Sequence, residues 1–206
     1  MTTPFPLGWR VDSQPETLGP ALGIAQCPRG RITEITGPAS SGRTSLLHSI
    51  LADSTRLGEF AALVDTNNSF DPCSAAAAGA DLSKIHWIRC SGNVEHAMRA
   101  ADLVLHSGGF GVVALDLADA RERQLQRIPA TAWFRWRRAI EPTQTILAVI
   151  AQRPLAKSCS ALVIEMNRRR ADFHGNLLRA AEFDIVPRKP IGKERTALHV
   201  CLHPCA

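Results

Sequence analysis

Residues 37–44 form the part of the chain that most directly indicates chemistry. They read Gly-Pro-Ala-Ser-Ser-Gly-Arg-Thr and follow a β-type run, Ile32–Thr36. In a phosphate-binding loop of this form, glycines let backbone N–H groups surround a phosphate at a helix N-terminus, a lysine reaches the β/γ oxygens, and the final hydroxyl binds magnesium. Arg43 occupies the lysine position. Because a guanidinium is a longer planar fork than an ammonium, it cannot take the same place without moving the phosphates.

A second candidate is the apolar run Val112–Asp116, which ends in a carboxylate. This pattern predicts a central parallel strand that presents Asp116 at its C-terminal edge, where it would hold the water shell of a magnesium ion. Two alternatives are a helix N-cap and an ion-pair partner of Arg43. We predict a degenerate nucleotide site that includes Gly37, Ser40, Ser41, Gly42, Arg43, Thr44, Ser45 and Asp116.

The elements that would position these residues alternate between strand and helix patterns. This alternation predicts an α/β fold with a central, mostly parallel sheet flanked by helices. Helices are expected over 44–56, 73–78, 93–107 and 131–141. Strands are expected over 32–36, 60–65, 85–90, 112–116, 145–150, 161–166, 183–187 and 196–202. Residues 1–28 are rich in Pro and Gly, which predicts an extended lead-in before a single core over 29–206.

Composition limits the class of protein. The chain has 206 residues and an apolar share of 45%, as expected for one sizeable globular core. No long apolar run or signal peptide is evident, so we expect a cytoplasmic protein without a membrane partner. Six cysteines lack a C-x-x-C pair and are expected to be buried thiols rather than disulfides. A zinc site in the tail His199–Cys205 is conceivable, but such tight alternation favours a plain strand, and we predict no metal site.

Charge is concentrated in the second half of the chain. Residues 1–116 carry 8 Lys and Arg against 11 Asp and Glu, whereas residues 117–206 carry 16 against 8. The helix predicted over 131–141 combines tryptophans with arginines, and a loop is expected at Arg168–Arg170. These side chains suit contacts to an acidic protein or to DNA, but the indoles could instead pack on the sheet. The candidate partner-binding residues are Trp133, Trp136, Arg137, Arg138, Arg168, Arg169 and Arg170.

Several phrases resemble the RecA ATPase core over roughly residues 28–187. Residues 28–38 followed by Ser40-Ser41-Gly42 resemble its entry into the phosphate loop, and residues 65–72 with 78–82 resemble its next strand and helix. Asn67 stands where the resemblance places a glutamate that activates water. Gln152, at the end of a later strand, completes the predicted nucleotide site. The resemblance therefore implies a RecA-like core with truncated terminal extensions.

A narrower resemblance is to ImuA-type proteins, carried by the loop arginine, by residues 133–138 and by residues 152–157. These are RecA-like accessory subunits of the bacterial mutasome. The resemblance implies a role in translesion synthesis and the SOS response. Its implied partners are an ImuB-like polymerase-related adaptor, RecA and a DnaE-type error-prone polymerase, with DNA as a further candidate.

The departures from RecA predict a non-catalytic protein. An amide at Asn67 can orient water but cannot accept its proton, and the loop lysine is also replaced. We expect ATP and Mg²⁺ to bind weakly or not at all. The second loop that RecA uses to grip DNA is reduced to residues 153–160, so strand exchange is not expected. The competing interpretations are a DNA-binding ATPase of recombinational repair and a SulA-like division inhibitor, although SulA-like proteins lack the loop glycines.

Overall fold

The structure is a computed structural model and describes residues 27–174, 177–189 and 196–201. Within these residues eight strands form one sheet: β1 (Ile32–Thr36), β2 (Phe60–Asp65), β3 (Ile85–Arg89), β4 (Phe110–Asp116), β5 (Ile146–Ala151), β6 (Ser160–His174), β7 (Leu177–Lys189) and β8 (Thr196–Cys201). The α-helices are α1 (Arg43–Arg56), α2 (Pro72–Ala77), α3 (Val94–Ser107), α4 (Glu122–Leu125) and α5 (Ala130–Ile140). Short 3₁₀ helices span Leu82–Lys84 and Lys157–Cys159.

The strand order is β3-β2-β4-β5-β1-β6-β7-β8. Strands β1 to β6 pair in parallel, and β7 and β8 extend the sheet in antiparallel pairing. This confirms the predicted α/β class with a mostly parallel sheet. Since the carboxyl ends of parallel strands meet at one edge, the loops after β1, β2, β4 and β5 lie along the same edge of the sheet.

Helices cover both faces of the sheet and bury two apolar clusters. Helix α1 places Leu46, Leu47, Ile50 and Leu51 on one face, where they pack with α2 residues and alternate strand positions. On the other face α3 and α5 contribute small and aromatic side chains, among them Ala97, Ala101, Trp136 and Ile140. These positions repeat at helical spacing, which is why the sequence pattern identifies the helices.

The β6–β7 hairpin differs from the sequence prediction. Arg168–Arg170 lie within β6 rather than in a loop, and β6 continues to His174 instead of ending at Met166. The register shifts between Arg168 and Arg170, which indicates a bulge at this point. Residues 168–170 are exposed. Because this half of the strand is polar and bulged, it lacks the alternation that identifies a half-buried strand.

The connection between β5 and β6 is held by a buried carboxylate on β1. Glu34 is fully buried, and its Oε1 accepts the N–H groups of Leu155 and Ala156 at 2.5 and 2.9 Å. The connection contains only the loop 152–156 and the 3₁₀ helix Lys157–Cys159. The expectation of a short second loop is therefore confirmed.

Other expectations have mixed outcomes. Cys27, Cys90 and Cys159 are buried, whereas Cys73 is exposed, and none of these four forms a disulfide with another described residue. The lead-in falls mainly on residues 1–26, outside the described residues, as does most of the tail 199–205. The boundary at residue 28 stays a prediction. In the described part of the chain, no helix is long and apolar enough to cross a membrane. Within the same residues, no group of three or more His, Cys, Asp and Glu side chains is arranged to hold a metal ion.

Candidate functional site

The loop between β1 and α1 has the backbone shape that its glycines predict. Gly37 and Gly42 have φ angles of 147° and 88°, and Ser40 has a φ of 59°. A Cβ on Gly37 would overlap the carbonyl oxygen of Met166 in β6. The loop is therefore confined between its own turn and the neighbouring strand, and glycine is required at its first position.

The N-terminus of α1 is open to an anion. Gly42 is the N-cap, and no side chain of the described residues caps the helix. The first intrahelical bond runs from the N–H of Leu46 to the carbonyl of Gly42 at 3.0 Å, so the N–H groups of the first turn lack helical partners. Thr44 is exposed at this end. Unpaired N–H groups and the helix dipole together attract a phosphate, and the Thr44 hydroxyl is available to a magnesium ion.

Arg43 is buried near the carboxylates of Asp116 and Asp119. Only 6% of the residue is exposed, and its buried Nη1 has no hydrogen-bond partner among the described residues. The adjacent Ser41 hydroxyl is also buried and has no partner in this part of the chain. Burial lowers the pKa of Arg43, while the nearby carboxylates of Asp116 and Asp119 act in the opposite direction. Unsatisfied donors beside open backbone N–H groups fit a phosphate group at this loop.

Asp116 lies at the carboxyl end of β4, as predicted. Its Oδ1 accepts the N–H of Ala118 at 2.9 Å, and its Oδ2 accepts the Ser69 hydroxyl at 3.4 Å. Burial raises the pKa of Asp116 to about 6, with the neighbouring Asp65 adding to the effect and Arg43 opposing it. The carboxylate thus caps a two-residue turn rather than a helix, and it remains a candidate magnesium ligand.

Asn67 lies beside Gly92. Its Oδ1 lies 3.8 Å from the point that a Cβ on Gly92 would occupy, in the loop after the edge strand β3. The strand that precedes Asn67, β2, is three positions from β1 in the sheet, or about 14 Å. Ser69, which contacts Asp116, is the residue of this loop that faces the inner strands. Sequence reasoning missed Ser69, because no pattern specifies which side chain of an irregular loop turns inward.

Gln152 joins three of the strand ends. Its carbonyl accepts the N–H of Gly37 at 3.3 Å, and its side-chain Nε2 donates to the carbonyl of Ala118 at 3.2 Å. It therefore links the ends of β5, β1 and β4 and lies beside the candidate nucleotide site. Ser45, half-buried in the first turn of α1, accepts the Ser49 hydroxyl through its carbonyl.

Phe183 is a further residue of the loop that sequence reasoning missed. A Cβ on Gly42 would lie 2.9 Å from three carbon atoms of the Phe183 ring. This residue is in β7 and is buried in the same apolar cluster as α1. The β6–β7 hairpin thus packs directly on the second loop glycine. The contact joins positions more than a hundred residues apart, which no local pattern reveals.

The tryptophans of α5 require a correction. Trp133 and Trp136 are 4% and 0% exposed, and their rings meet edge to face at 5.3 Å. The Trp136 Nε1 donates to Oδ1 of Asp102 in α3 at 2.7 Å. Buried indoles cannot contact a partner, so the alternative in which they pack on the sheet is correct. Arg137 is half-buried and Arg138 is exposed.

The candidate residues therefore fall into separate regions. The loop residues, Asp116 and Gln152 meet at one edge of the sheet, whereas α5 packs on the face opposite α1. Arg168–Arg170 lie on the exposed part of the β6–β7 hairpin.

A scan against protein families matches the RecA N-terminal domain over residues 10–124, more than half of the chain. The chain belongs to the RecA N-terminal domain family. Protein RecA of Rubrobacter xylanophilus is 41% identical over 96 residues, which are 47% of this chain and 28% of that protein. Protein RecA of Borrelia duttonii is 33% identical over 124 residues, 59% of this chain and 34% of that protein.

A third relative, Protein RecA of Bacteroides thetaiotaomicron, is 37% identical over 99 residues, 48% of this chain and 30% of that protein. This RecA-family chain thus spans about a third of the length of the curated relatives it matches. The family match includes the phosphate loop, Asn67 and Asp116.

Proposed function

We propose that this RecA-family chain is a non-hydrolysing accessory protein of translesion DNA synthesis and damage-induced mutagenesis. In this role it docks on an ImuB-like adaptor and on RecA, within an assembly that contains a DnaE-type polymerase. The observation that carries the proposal is the amide of Asn67, which lies beside Gly92 in the loop after β3. An amide at that position can orient water but cannot accept its proton, so Asn67 cannot act as the general base for hydrolysis.

The phosphate loop supports binding more than it supports hydrolysis. The open first turn of α1, the Ser41 hydroxyl and the Arg43 guanidinium would hold the phosphates, and Thr44 with Asp116 would hold magnesium. A bound magnesium nucleotide would supply charge that orders this edge of the sheet. The absence of a positioned base alone typically costs a rate factor of about 10²–10⁴, or about 3–5 kcal/mol of barrier.

Phosphate release with and without single-stranded DNA tests the catalytic half of the proposal. We expect the wild-type rate to equal that of Asp116→Asn, which lacks the candidate magnesium carboxylate. The double variant Arg43→Lys with Asn67→Glu is the gain-of-function control. A wild-type rate well above that of Asp116→Asn, and stimulated by DNA, would instead support the second candidate, an ATP-dependent DNA-binding ATPase. The open N-terminus of α1 is the feature that favours this candidate.

Pull-down with a purified ImuB-like adaptor and with RecA tests the docking half. The exposed arginines of β6 are the predicted contact, so an alanine triple at Arg168–Arg170 should weaken capture. Arg99, an exposed arginine of α3 paired with Glu95, provides the matched control when replaced by alanine. Equal capture of the triple variant and wild type would remove these arginines from the interface.

A further inference from the structure

One face of α5 is exposed although the opposite face is fully buried. Thr131, Phe134, Arg135 and Arg138 are exposed at spacings of three and four residues, so they form one stripe. Phe134 is 50% exposed, although an aromatic side chain of this size usually contributes most of its area to a core. The stripe therefore presents a large apolar group between cations.

This stripe forms one wall of a surface groove between α3 and α5. The groove has a volume of about 650 Å³ and is lined by His106, Thr131, Phe134, Arg135, Arg138 and Ala139. Its geometry is held by Asp102 of α3, whose Oδ1 accepts Nη2 of Arg135 at 2.7 Å and Nε1 of Trp136 at 2.7 Å. Arg135 and Trp136 belong to α5 and Asp102 belongs to α3, so these bonds join the two helices at the edge of the groove.

The fixed charges that line the groove are positive. They belong to Arg135 and Arg138, and Asp102, the acid that joins the two helices, is already bonded to Arg135 and Trp136. The apolar lining comes from Phe134, Ala139 and the methyl group of Thr131. A complementary ligand therefore needs carboxylates on either side of a large apolar side chain.

We infer that the α3–α5 groove binds an acidic segment of a partner protein through one large apolar anchor residue. This inference rests on the proposed docking function and names the surface and the partner chemistry. A protein segment is favoured over nucleic acid because binding to a phosphate backbone depends on many cations along a track. Here two arginines line the groove, and Arg135 is already paired with Asp102.

The test selects a ligand without assuming its source. A random peptide library displayed on phage is panned on the full chain and counter-selected on the double variant Phe134→Ala with Arg138→Glu. We expect enriched peptides to share acidic residues around a Phe, Leu or Trp. Synthetic forms of the consensus are then measured by fluorescence anisotropy, together with versions in which the anchor is Ala or the acids are Lys.

Phe134→Ala and Arg138→Glu should each weaken binding of the consensus peptide about tenfold or more. Thr131→Glu adds an acid at an exposed lining position and should weaken binding in a protein that keeps its thermal unfolding midpoint. The matched controls are Phe60→Ala, at a residue 48% exposed on β2, and Arg123→Glu, at an exposed arginine of α4. Both controls should bind like wild type.

Three results would overturn the inference. The first is enrichment of peptides that lack either the acids or the anchor, and the second is equal binding by the groove variants. The third is displacement of the peptide by single-stranded DNA at a lower concentration than by unlabelled peptide, which would assign the groove to nucleic acid. Because this assay contains neither nucleotide nor adaptor, its failure is distinct from a failure of the phosphate-release or pull-down tests.

Discussion

Replacing Asp116 with asparagine should make the folded protein more stable at neutral and alkaline pH. Burial raises the pKa of this carboxyl from 3.8 to about 6, so the folded protein resists its ionisation. One pKa unit corresponds to about 1.4 kcal/mol, which places the cost of holding the charge at up to about 3 kcal/mol. An asparagine oxygen can still accept the N–H of Ala118, so the turn after β4 is kept.

The sign and the pH range follow from the direction of the shift. A folded pKa above the unfolded value means that the neutral acid is the favoured folded form. Its contribution is complete below pH 3.8 and is lost as the pH rises through about 6. Asp116→Asn should therefore exceed wild type by about 1–3 kcal/mol in free energy of unfolding at about pH 8. The difference should shrink toward zero below pH 3.8.

Urea denaturation followed by tryptophan fluorescence at both pH values measures this difference, with the midpoint moving and the slope unchanged. Asp172→Asn is the control, because Asp172 is an exposed carboxylate of β6 outside this loop, and its effect should stay within about 0.5 kcal/mol. A variant equal to or less stable than wild type at about pH 8 would refute the reasoning. It would show that attraction to Arg43 outweighs the burial of the carboxylate.

Three further changes test the packing around this edge and around α5. Burial lowers the pKa of His48 from 6.5 to about 4, so wild type should lose up to about 3 kcal/mol of stability as the pH falls through this range. His48→Leu should remove this loss, and urea midpoints across the same pH range measure it. Gly42→Ala should cost about 2–4 kcal/mol by the same assay, since its φ is 88° and its Cβ would press on the Phe183 ring. Trp136→Phe should cost about 1–3 kcal/mol through the lost bond to Asp102 and should lower the thermal midpoint.

Each of these expectations has a contradicting outcome. An unchanged pH slope in His48→Leu would mean that another group controls acid stability. Gly58→Ala is the control for Gly42, because Gly58 has a φ of 84° and, apart from its chain neighbours, no described residue has an atom within 4 Å of its added Cβ. An equal loss of unfolding free energy at the two glycines would show that the Phe183 contact contributes nothing to the effect of Gly42→Ala. A Trp136→Phe variant as stable as wild type would mean that water replaces the indole N–H at Asp102.

Local patterns predicted most elements of the sheet and its helices. Apolar spacing at Leu46, Leu47 and Ile50 identified α1, which the structure begins at Arg43. Asp71 precedes a proline at the first helical position of α2, and its side chain accepts the N–H groups of Cys73 and Ser74, which is a local N-cap pattern. These features depend on neighbours within a few residues, so the local sequence predicts them.

The β6–β7 hairpin and the α5 surface were not predictable in this way. The exposed half of β6 forms because residues 168–174 pair with residues 177–183 across a bulge, and not because its own side chains alternate. The periodicity of α5 shows that Trp133 and Trp136 share a face but does not show which face meets the sheet. The aromatic side chain that α5 exposes is Phe134, although the predicted contact residues were Trp133 and Trp136.

The sequence by itself determined the family, the alternation of strands and helices, and the substitution of Arg43 for the loop lysine. Only the tertiary structure decided that Arg43 is buried near Asp116, that Asn67 lies beside Gly92, and that Phe183 covers Gly42. The physical reason is the range of the interactions. Hydrogen-bonded turns and amphipathic spacing act over a few residues, whereas the direction of a side chain is set by packing against strands that are distant in the chain and adjacent in the sheet.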